Sequence, residues 1–442
     1  MTRSEVPRQL VHIGVGAIAL SLRFLTWQQA AAMAVAAILF NLFVLPRLTD
    51  RVFRPADRDR LWTTGIVLYP LAVLGLILCF RDRLDLAAAA WGILAAGDGM
   101  ATLVGTTVRS SRLPWNHEKS VAGLLAFVTA GAIAAVGLLV WTTGGPLTVA
   151  VVVTGIVAAV VAGFVETVPI TLDDNLTVPL AAAAALWSCA IFDAAIFLNA
   201  WPALQQLALM GLVANLIVAV LGWTVRTVTV PGAITGAVIG TIVVAGLGWS
   251  GWLLLLATFG LAAATTRAGH ARKQRAGIAE SRGGRRGPGN AIANTGIAAW
   301  AAATALGLPD PTVASLIATA ALATAGSDTV ASEIGKAFGR TTWLVTSFRR
   351  VPPGTTGAVS TEGTLAGVAS AAVLAAVASA LGLIPAWTIG LVTVSATVAS
   401  LIEGALGATL EARGILNNDS LNFVNAAIGA ALTVAAWCWW PF

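Results

Sequence analysis

The amino-acid sequence predicts an all-α polytopic membrane protein. Of its 442 residues, 57% are hydrophobic and 10% are charged, whereas an ordinary soluble domain has about 25% charged residues. Apolar segments long enough to cross a bilayer, about 20 residues each, recur from one end of the chain to the other. Several are separated by Arg-rich loops, which are typical of the cytoplasmic side of membrane proteins.

Pro, Gly and clusters of charge mark the ends of these segments, and they lead us to expect about 15 transmembrane helices. The expected spans are residues 9–24, 27–46, 62–80, 86–108, 119–141, 148–166, 178–199, 203–224, 231–248, 251–266, 289–306, 311–330, 361–383, 387–408 and 421–441. If the N-terminus is cytoplasmic, alternation of the helices places the basic loops 51–60, 109–119 and 267–286 on the cytoplasmic face. This agrees with the positive-inside rule.

Two polar motifs recur and indicate an internal repeat. In segments 97–123 and 326–363, an Asp (Asp98 or Asp328) is followed seven residues later by a Gly, and a Ser-x-x-Gly sequence ends the motif. We therefore expect two parallel seven-helix repeats joined by one linker helix, because an odd number of helices reverses the direction of the chain. The expected domains are residues 1–200, the linker 201–224 and residues 225–442.

Composition and motifs exclude several classes of function. The net charge of +6 is concentrated in a few polar loops, which orientation and phosphate binding explain better than nucleic-acid binding. The three cysteines have no metal-ligand spacing. The chain has no GxxxxGK[ST] loop, no GxGxxG motif between a strand and a helix, and no HExxH motif.

The two recurring aspartates are the leading candidates for a functional role. A charge in hydrocarbon costs several kcal/mol, so an intramembrane Asp is a functional candidate by default. We expect Asp98 and Asp328 at cytoplasmic helix ends, where a carboxylate can bind Mg²⁺ together with nucleotide phosphates. Helix packing through an Arg or a backbone group is the structural alternative.

Further acidic residues follow the sixth span of each repeat. Glu166 precedes Asp173, Asp174 and Asn175, and Glu403 precedes Asn417, Asn418 and Asp419. A second metal-binding or proton-accepting cluster would explain acidic loops on a face that is usually basic; a solvated loop is the alternative.

Lysines and histidines are few, and some lie in the polar motifs. Lys119 and Lys336 are two of three lysines, and a compact ammonium group suits phosphate, although a Lys at a helix start can also snorkel to the interface. For His12 and His117, a capping or interfacial role is as consistent with the sequence as a functional one. The basic loop that leads to Asn290 and Asn294 is expected on the nucleotide-phosphate side of a second site, with a pure topology signal as the alternative.

The first half resembles the dolichol and phytol kinase family of membrane lipid kinases. The matching segments are Arg8-x-x-x-His12 with Gly16, Gly65-x-x-x-Tyr69-Pro70-Leu71, Gly97-Asp98 with Ala101 and Gly105, Pro114-Trp115-Asn116 with Lys119-Ser120, Glu166, Asp174-Asn175-Leu176 and Val178-Pro179. Gln9 departs from the family, in which Lys often follows the Arg.

The second half resembles the membrane family that includes plant phytyl-phosphate kinase. The matching segments are Gly269, Lys273, Gly277-Ile278-Ala279-Glu280, Gly284-Arg285-Arg286-Gly287, Asn290, Asn294, Asp328-Thr329, Ser332-Glu333, Gly335-Lys336, Gly357-Ala358-Val359-Ser360, Glu362-Gly363, Asn418-Asp419, Asn422-Phe423 and Asn425. Val359 stands where the first half has Lys119, so the phosphate contact is expected to differ.

The two resemblances imply a fused, bifunctional isoprenoid kinase. The first half is expected to phosphorylate a prenyl alcohol such as phytol, geranylgeraniol or farnesol, and the second half to convert the monophosphate into the diphosphate. They imply CTP as the phosphoryl donor, less firmly for the second half, and Mg²⁺ as cofactor, at sites on the cytoplasmic face of the membrane. The expected partners are the lipid alcohol, the lipid phosphate, a nucleotide and the membrane, and no nucleic acid.

The resemblances also imply roles for individual residues. The expected catalytic residues are Asp98, Lys119, Glu166, Asp328, Glu333 and Glu403. The expected nucleotide- and phosphate-binding residues are Arg8, His12, Asn116, Ser120, Asn175, Lys273, Arg285, Arg286, Asn290, Asn294, Lys336, Ser360, Asn418 and Asn422. The expected metal ligands are Asp98, Glu166, Asp174, Asp328 and Asp419.

The sequence leaves two alternatives open. A membrane transporter with parallel repeats would also contain intramembrane acids, but near the bilayer midplane. A cytidylyltransferase that makes a CDP-lipid would share CTP and Mg²⁺, but it would release pyrophosphate instead of CDP.

Overall fold

A computed structural model describes residues 5–48, 65–169, 172–278 and 284–439, with the backbone alone for residues 5–8. The Arg8 side chain, Glu280 and the basic loop 51–60 lie outside the described residues. The chain divides into two compact units, Met1–Ile191 and Phe192–Phe442. Both are almost entirely helical, which confirms the all-α class.

The described part of the first unit consists of helices and one short hairpin. Its elements are α1 (Glu5–Gly16), α2 (Trp27–Leu48), α3 (Gly65–Cys79), α4 (Leu84–Thr107), β1 (Arg112–Leu113), β2 (Asn116–Ser120), α5 (Val121–Thr143), α6 (Val149–Thr167) and α7 (Asp174–Ile191). A 3₁₀ segment, Ala17–Arg23, follows α1. Strands β1 and β2 pair antiparallel where the sequence predicts a polar loop.

Helix α4 is the centre of the first unit. Residues 85–95 are all buried, because the many Ala side chains here let neighbouring helices approach closely. The helix contains a π-helical segment, Ile93–Asp98, in which hydrogen bonds run between residues i and i+5. Asp98 is the last residue of this segment.

The second unit, where the structure describes it, is also helical and contains one small sheet. Its elements are α8 (Ala194–Thr224), α9 (Val230–Arg267), α10 (His270–Arg275), α11 (Pro288–Ala305), α12 (Thr312–Phe338), β3 (Thr342–Leu344), β4 (Arg350–Val351), β5 (Ala358–Ser360), α13 (Thr361–Ala380), α14 (Thr388–Glu411) and α15 (Asn418–Trp439). Strand β3 pairs antiparallel with both β4 and β5. The predicted linker, 201–224, falls within α8, which is part of this unit.

Helix α12 is the centre of the second unit. It packs against α9, α11, α13 and α15, and residues 318–327 are all buried. These residues are mostly Ala, Thr, Gly and Ser, the small side chains that permit close helix contacts in membranes.

Helix α9 contains two of the predicted spans, 231–248 and 251–266. Its direction changes at Gly248, where φ is +66° and ψ is −168°. Almost no residue other than Gly adopts this conformation without strain. The break at Gly248 therefore divides α9 into two helical parts, which correspond to the two predicted spans.

Ser120 and Ser360 begin α5 and α13 in the same way. Each hydroxyl oxygen accepts a hydrogen bond from the backbone N–H three residues later, at 3.2 and 3.1 Å respectively. A methyl group added to Gly105 would lie 3.2 Å from the Ser120 hydroxyl, and one added to Gly335 would lie 3.0 Å from the Ser360 hydroxyl. Both Ser-x-x-Gly motifs are thus helix N-caps that pack against the Gly of their own motif.

Among the described residues, eleven helices are long and apolar enough to cross a membrane, and Gln9–Arg23 and Gly65–Cys79 are shorter apolar helices. This confirms a polytopic membrane protein. The expected number of 15 spans and the arrangement in two parallel repeats stay predictions.

One expectation about position is wrong, because Asp98 and Asp328 do not end their helices. Helix α4 continues to Thr107 and α12 to Phe338, since no Pro or run of like charge interrupts either segment. In α12 the charge of Glu333 is balanced by Lys336, three residues later, so the helix tolerates it.

Candidate functional site

Two glycines bring neighbouring helices close to both sides of Asp98. A methyl group added to Gly97 would lie 3.0 Å from the Phe127 ring in α5, and one added to Gly99 would lie 2.4 Å from Ile13 in α1. Larger residues would displace these side chains. The Gly-Asp-Gly sequence therefore permits the packing that surrounds this carboxylate.

Three carboxylates from three helices meet in the first unit. One ligand oxygen each from Asp98 in α4, Glu166 in α6 and Asp174 in α7 lies within 4.8 Å of the others. The Glu166 side chain is only 4% exposed. Carboxylates this close repel each other unless a cation or a proton neutralises them.

Lys119 neutralises part of this cluster. Its Nζ atom donates to Glu166 Oε1 at 2.5 Å and to Asp174 Oδ2 at 3.4 Å. Burial opposes the charge of the ammonium group, but attraction by Asp174 and Glu166 outweighs it, so the pKa of Lys119 is raised. The side chain remains 32% exposed and is accessible to a phosphate.

His12 contacts Asp98 from α1. Its Nε2 atom lies 3.5 Å from Asp98 Oδ2 and 3.4 Å from the carbonyl oxygen of Leu94. The imidazole packs edge-on against the Tyr69 ring with 4.9 Å between centroids, and the Tyr69 hydroxyl accepts a hydrogen bond from Trp91 Nε1 at 2.7 Å. These contacts orient His12, and no motif in the sequence singles out Trp91.

Three predicted phosphate ligands also form hydrogen bonds within the protein. The Asn116 amide donates to the carbonyl oxygen of Thr167 at 3.0 Å, and the Asn175 amide donates to Asp173 Oδ1 at 2.7 Å. Ser120 caps α5. These bonds join the hairpin to the end of α6 and order the start of α7, so the three residues position the cluster; a contact with phosphate stays a prediction.

The second unit has a polar cavity of about 740 Å³, within the range of about 300–1,000 Å³ that is usual for ligand pockets. Most of the residues predicted for the second site line it: Arg285, Arg286, Asn290, Asp328, Glu333, Lys336, Ser360, Glu403, Asn418, Asp419 and Asn422. Lys273 and Asn294 are the predicted residues that do not line it. The structure thus brings together residues that are far apart in the sequence.

Two carboxylates approach each other in this cavity. Glu403 in α14 lies within hydrogen-bonding reach of Asp328 in α12, so this pair also requires a proton or a cation. Glu411, which was not predicted for the site, lines the same cavity and ends a π-helical segment, Gly407–Glu411. Its spacing of eight residues from Glu403, two turns along one helix, is the signal that could have identified it.

Asp419 lies beside the N-terminus of α11. A methyl group added to Gly289 would lie 2.3 Å from Asp419 Oδ2, so a larger residue would displace the carboxylate. Within the described residues, Asp328 and Asp419 belong to no group of three acidic ligand atoms like that of the first unit. A metal ion at these two residues stays a prediction.

Lys273 and Lys336 both contact Glu333 but differ in exposure. Lys273 is 1% exposed, and its Nζ atom donates to Glu333 Oε2 and to the backbone carbonyls of Thr266 (2.8 Å) and Thr265 (3.4 Å). An ammonium group has three N–H donors, and all three have acceptors here. Lys336 Nζ lies 3.5 Å from the other Glu333 oxygen, and its partly exposed side chain lines the cavity.

Asn290 and Asn294 have different surroundings on α11. The Asn294 amide donates to the carbonyl oxygen of Asn290 at 2.8 Å. The buried Oδ1 atom of Asn290 has no hydrogen-bond partner within the described part of the chain. Such an unsatisfied group costs about 1–3 kcal/mol, so the Asn290 side chain is expected to bind a ligand.

Comparisons with known proteins agree with a membrane protein. The sequence model of a family described as "Integral membrane protein DUF92" matches residues 212–430. An uncharacterized membrane protein of Synechocystis sp., sll0875, is 42% identical over 200 residues, which are 45% of this chain and 78% of that protein. The chloroplastic protein VTE6 of Arabidopsis thaliana is 35% identical over 229 residues, which are 50% of this chain and 69% of that protein.

A third relative carries the name of an enzyme. A chloroplastic protein of Glycine max named probable phytol kinase 3 is 32% identical over 193 residues, which are 40% of this chain and 60% of that protein. No solved structure gives a significant match to this chain.

Proposed function

The chain belongs to the integral membrane protein family DUF92, and we propose that it is a membrane kinase of isoprenoid lipids. A further relative, named probable phytol kinase 3, supports this proposal. The first unit phosphorylates a prenyl alcohol, and the second unit adds a second phosphoryl group to the monophosphate. The observation that carries the proposal is the meeting of three carboxylates and Lys119 in one cluster.

The carboxylate cluster of the first unit fits Mg²⁺. One ammonium group cannot balance three carboxylates, and Mg²⁺ takes oxygen ligands from one or two carboxylates while nucleotide phosphates complete its coordination. Asp98, Glu166 and Asp174 would hold the ion. When bound, it would neutralise the charge of the transferring phosphoryl group.

The side chains of the first unit have distinct roles in this proposal. The hydroxyl oxygen of the prenyl alcohol attacks the terminal phosphorus of the nucleotide, the bond from that phosphorus to its bridging oxygen breaks, and the hydroxyl proton passes to a carboxylate. Asp98 orients the attacking hydroxyl, because it is partly exposed and held beside His12. Lys119 stabilises the transferring phosphate, because its ammonium group is charged and accessible.

The second unit would use its cavity for the second transfer. Its volume of about 740 Å³ admits a nucleotide together with a lipid phosphate group. Asp328 and Glu403 supply carboxylates, and Arg285, Arg286 and Lys336 supply positive charge along the same walls. Glu333 supports this site through its contacts with Lys336 and the buried Lys273.

The finer parts of the proposal rest on resemblance and on charge distribution. CTP as the donor follows from the resemblance to dolichol and phytol kinases. Sites on the cytoplasmic face and a cytoplasmic N-terminus follow from the basic loops. The matching caps at Ser120 and Ser360 support two repeats that arose from one.

The experiment that tests the function is phosphoryl transfer by the purified full-length protein in nanodiscs. CTP, Mg²⁺ and phytol, geranylgeraniol or farnesol are supplied, and lipid monophosphate and diphosphate are separated. We expect diphosphate from the wild type, no phosphorylated lipid from Asp98→Asn, and accumulation of monophosphate in Asp328→Asn. Asp85→Asn is the matched control, because Asp85 is an acid of the same helix, α4, that pairs with Arg83 away from the cluster.

Other outcomes would contradict the proposal. With a prenyl monophosphate supplied in place of the alcohol, release of pyrophosphate with formation of a CDP-lipid would identify a cytidylyltransferase. The absence of phosphorylated lipid over a wide range of alcohols and nucleotides would refute the kinase and favour a transporter. Monophosphate as the sole product of the wild type would limit the function to the first unit.

A further inference from the structure

An apolar groove adjoins the polar cavity of the second unit. It has a volume of about 130 Å³ and lies between α8, α9, α11 and α12. Arg286, Asn290 and Thr329 line both the groove and the cavity. The two spaces therefore meet at these residues, and one ligand can occupy both.

One face of α8 forms a wall of the groove. Asn215, Val218, Ala219 and Gly222 line it, with the spacing i, i+3, i+4 and i+7 that marks a single helical face. Large apolar residues elsewhere on the helix, such as Leu216, are exposed. The helix that the sequence predicts as a linker thus contributes to a binding surface.

The groove has a charged end at the cavity and an uncharged end opposite it. At the cavity end, the guanidinium carbon of Arg286 lies 6.0 Å from the centre of the Phe259 ring. At the other end, Trp252 Nε1 donates to Asn215 Oδ1 at 3.0 Å. Along α8, Gly222 and Asn215 are about 10 Å apart at a rise of 1.5 Å per residue.

We propose that this groove binds the first part of the isoprenoid chain of the lipid phosphate, with the phosphate group in the cavity at Arg286. The inference rests on the proposed function of the second unit. Apolar walls suit a hydrocarbon chain, and the basic residue at the junction suits a phosphate, so the charge distribution sets the direction in which the substrate lies.

The size of the groove limits how much of the chain it holds. A cavity of about 150 Å³ holds one molecule of benzene, so a groove of 130 Å³ holds the isoprene unit next to the phosphate and not a whole long chain. The hydrogen-bonded pair of Asn215 and Trp252 lines the groove about two helical turns from its charged end. The distal chain lies outside it.

The Asn290 side chain marks the junction between phosphate and chain. Its buried oxygen has no partner within the described residues, and the residue lines both spaces. The atom without a partner is the acceptor Oδ1, which can accept from the P–O–H group of a monoanionic phosphate, and the amide NH₂ group can donate to a phosphate oxygen. The place of Asn290 at the junction therefore explains why its Oδ1 atom has no partner within the described residues.

Gly236 in α9 is a position from which a larger side chain can fill part of the groove. It lines the groove, and a methyl group added to it would meet no atom within 4 Å. Leu also favours a helix more than Gly does. Gly260→Leu is the matched control, because Gly260 lies in the same helix, has the same open surroundings and lines neither the groove nor the cavity.

The test is the affinity of the purified full-length protein in nanodiscs for geranyl monophosphate and for methyl phosphate, measured by titration calorimetry. We expect Gly236→Leu to raise the Kd of geranyl monophosphate at least tenfold, because each methylene kept out of the groove costs about fourfold. The Kd of methyl phosphate should be unchanged, and Gly260→Leu should bind both ligands like the wild type.

Three results would refute binding of the isoprenoid chain in the groove. These are an unchanged Kd of geranyl monophosphate in Gly236→Leu, an equal rise of this Kd in Gly260→Leu, or a wild type that binds both ligands equally well. Phosphoryl transfer in the same samples tests the kinase separately. Binding that depends on Gly236 without any transfer would support the groove and refute the kinase.

Discussion

Replacement of Lys273 by Met should destabilise the second unit. The Lys273 ammonium group is enclosed and donates to the Glu333 carboxylate and to two carbonyl oxygens in the last turn of α9. Its removal leaves Glu333 buried, with Lys336 at 3.5 Å as a cationic partner. Loss of one member of a buried ion pair costs about 3–5 kcal/mol, and the loss of a cation at a helix C-terminus adds to this.

This cost is measurable as a change in melting temperature. For folded units of 150–250 residues, 1 kcal/mol corresponds to about 2–4 °C, so we expect a decrease of roughly 6–20 °C in Lys273→Met. The double variant Lys273→Met with Glu333→Gln removes both charges and should recover most of the lost stability. Circular dichroism of the purified protein in detergent gives the melting temperatures.

Lys336→Met is the matched control, because Lys336 contacts the same Glu333 but is partly exposed and lines the cavity. It should retain the melting temperature of the wild type and lose the second phosphoryl transfer. If Lys273→Met instead retains the melting temperature and loses transfer, the reasoning is refuted, and Lys273 contacts phosphate as the resemblance implies.

Ser120→Ala and Ser360→Ala each remove an N-cap and should lower stability by about 1 kcal/mol in thermal unfolding, with transfer retained. The pKa of Lys119 is raised, so its stabilising charge is present below its ordinary pKa of 10.5 and is lost only as pH rises through the higher folded value. The rates of the wild type and Lys119→Arg should therefore have the same profile from about pH 7 to 9. EDTA should abolish both transfers, and Mg²⁺ should restore them, as measured with labelled CTP.

Local features of the fold could be predicted from the sequence because they depend on neighbouring residues. Apolar runs identify the helices, and the Ser-x-x-Gly sequences at Ser120 and Ser360 correspond to N-caps. Asp98, Glu166 and Asp174 belong to the acidic motifs that recur in the sequence, and the structure brings these three residues together.

Features that depend on distant contacts could not be predicted in this way. Lys273 has the same residue type as Lys336, and only the packing of α10 and α12 decides that one is buried and the other lines a cavity. A polar loop and a short hairpin have the same composition, so the sequence predicts only a loop where β1 and β2 form. The sequence indicates a break between the spans 231–248 and 251–266, but the angles that the backbone adopts at Gly248 depend on how the two parts of α9 pack.

The π-helical segment of α4, Ile93–Asp98, decides where the first unit can lose a residue. Successive residues of an α-helix point about 100° apart, and a π-helical turn contains one additional residue. Deletion of one residue within the segment would let the helix return to regular α geometry with Asp98 facing nearly the same way. Deletion of one residue between Leu84 and Gly92 would instead turn Asp98 by about 100° away from the other carboxylates. We therefore expect homologues to tolerate the first deletion and not the second.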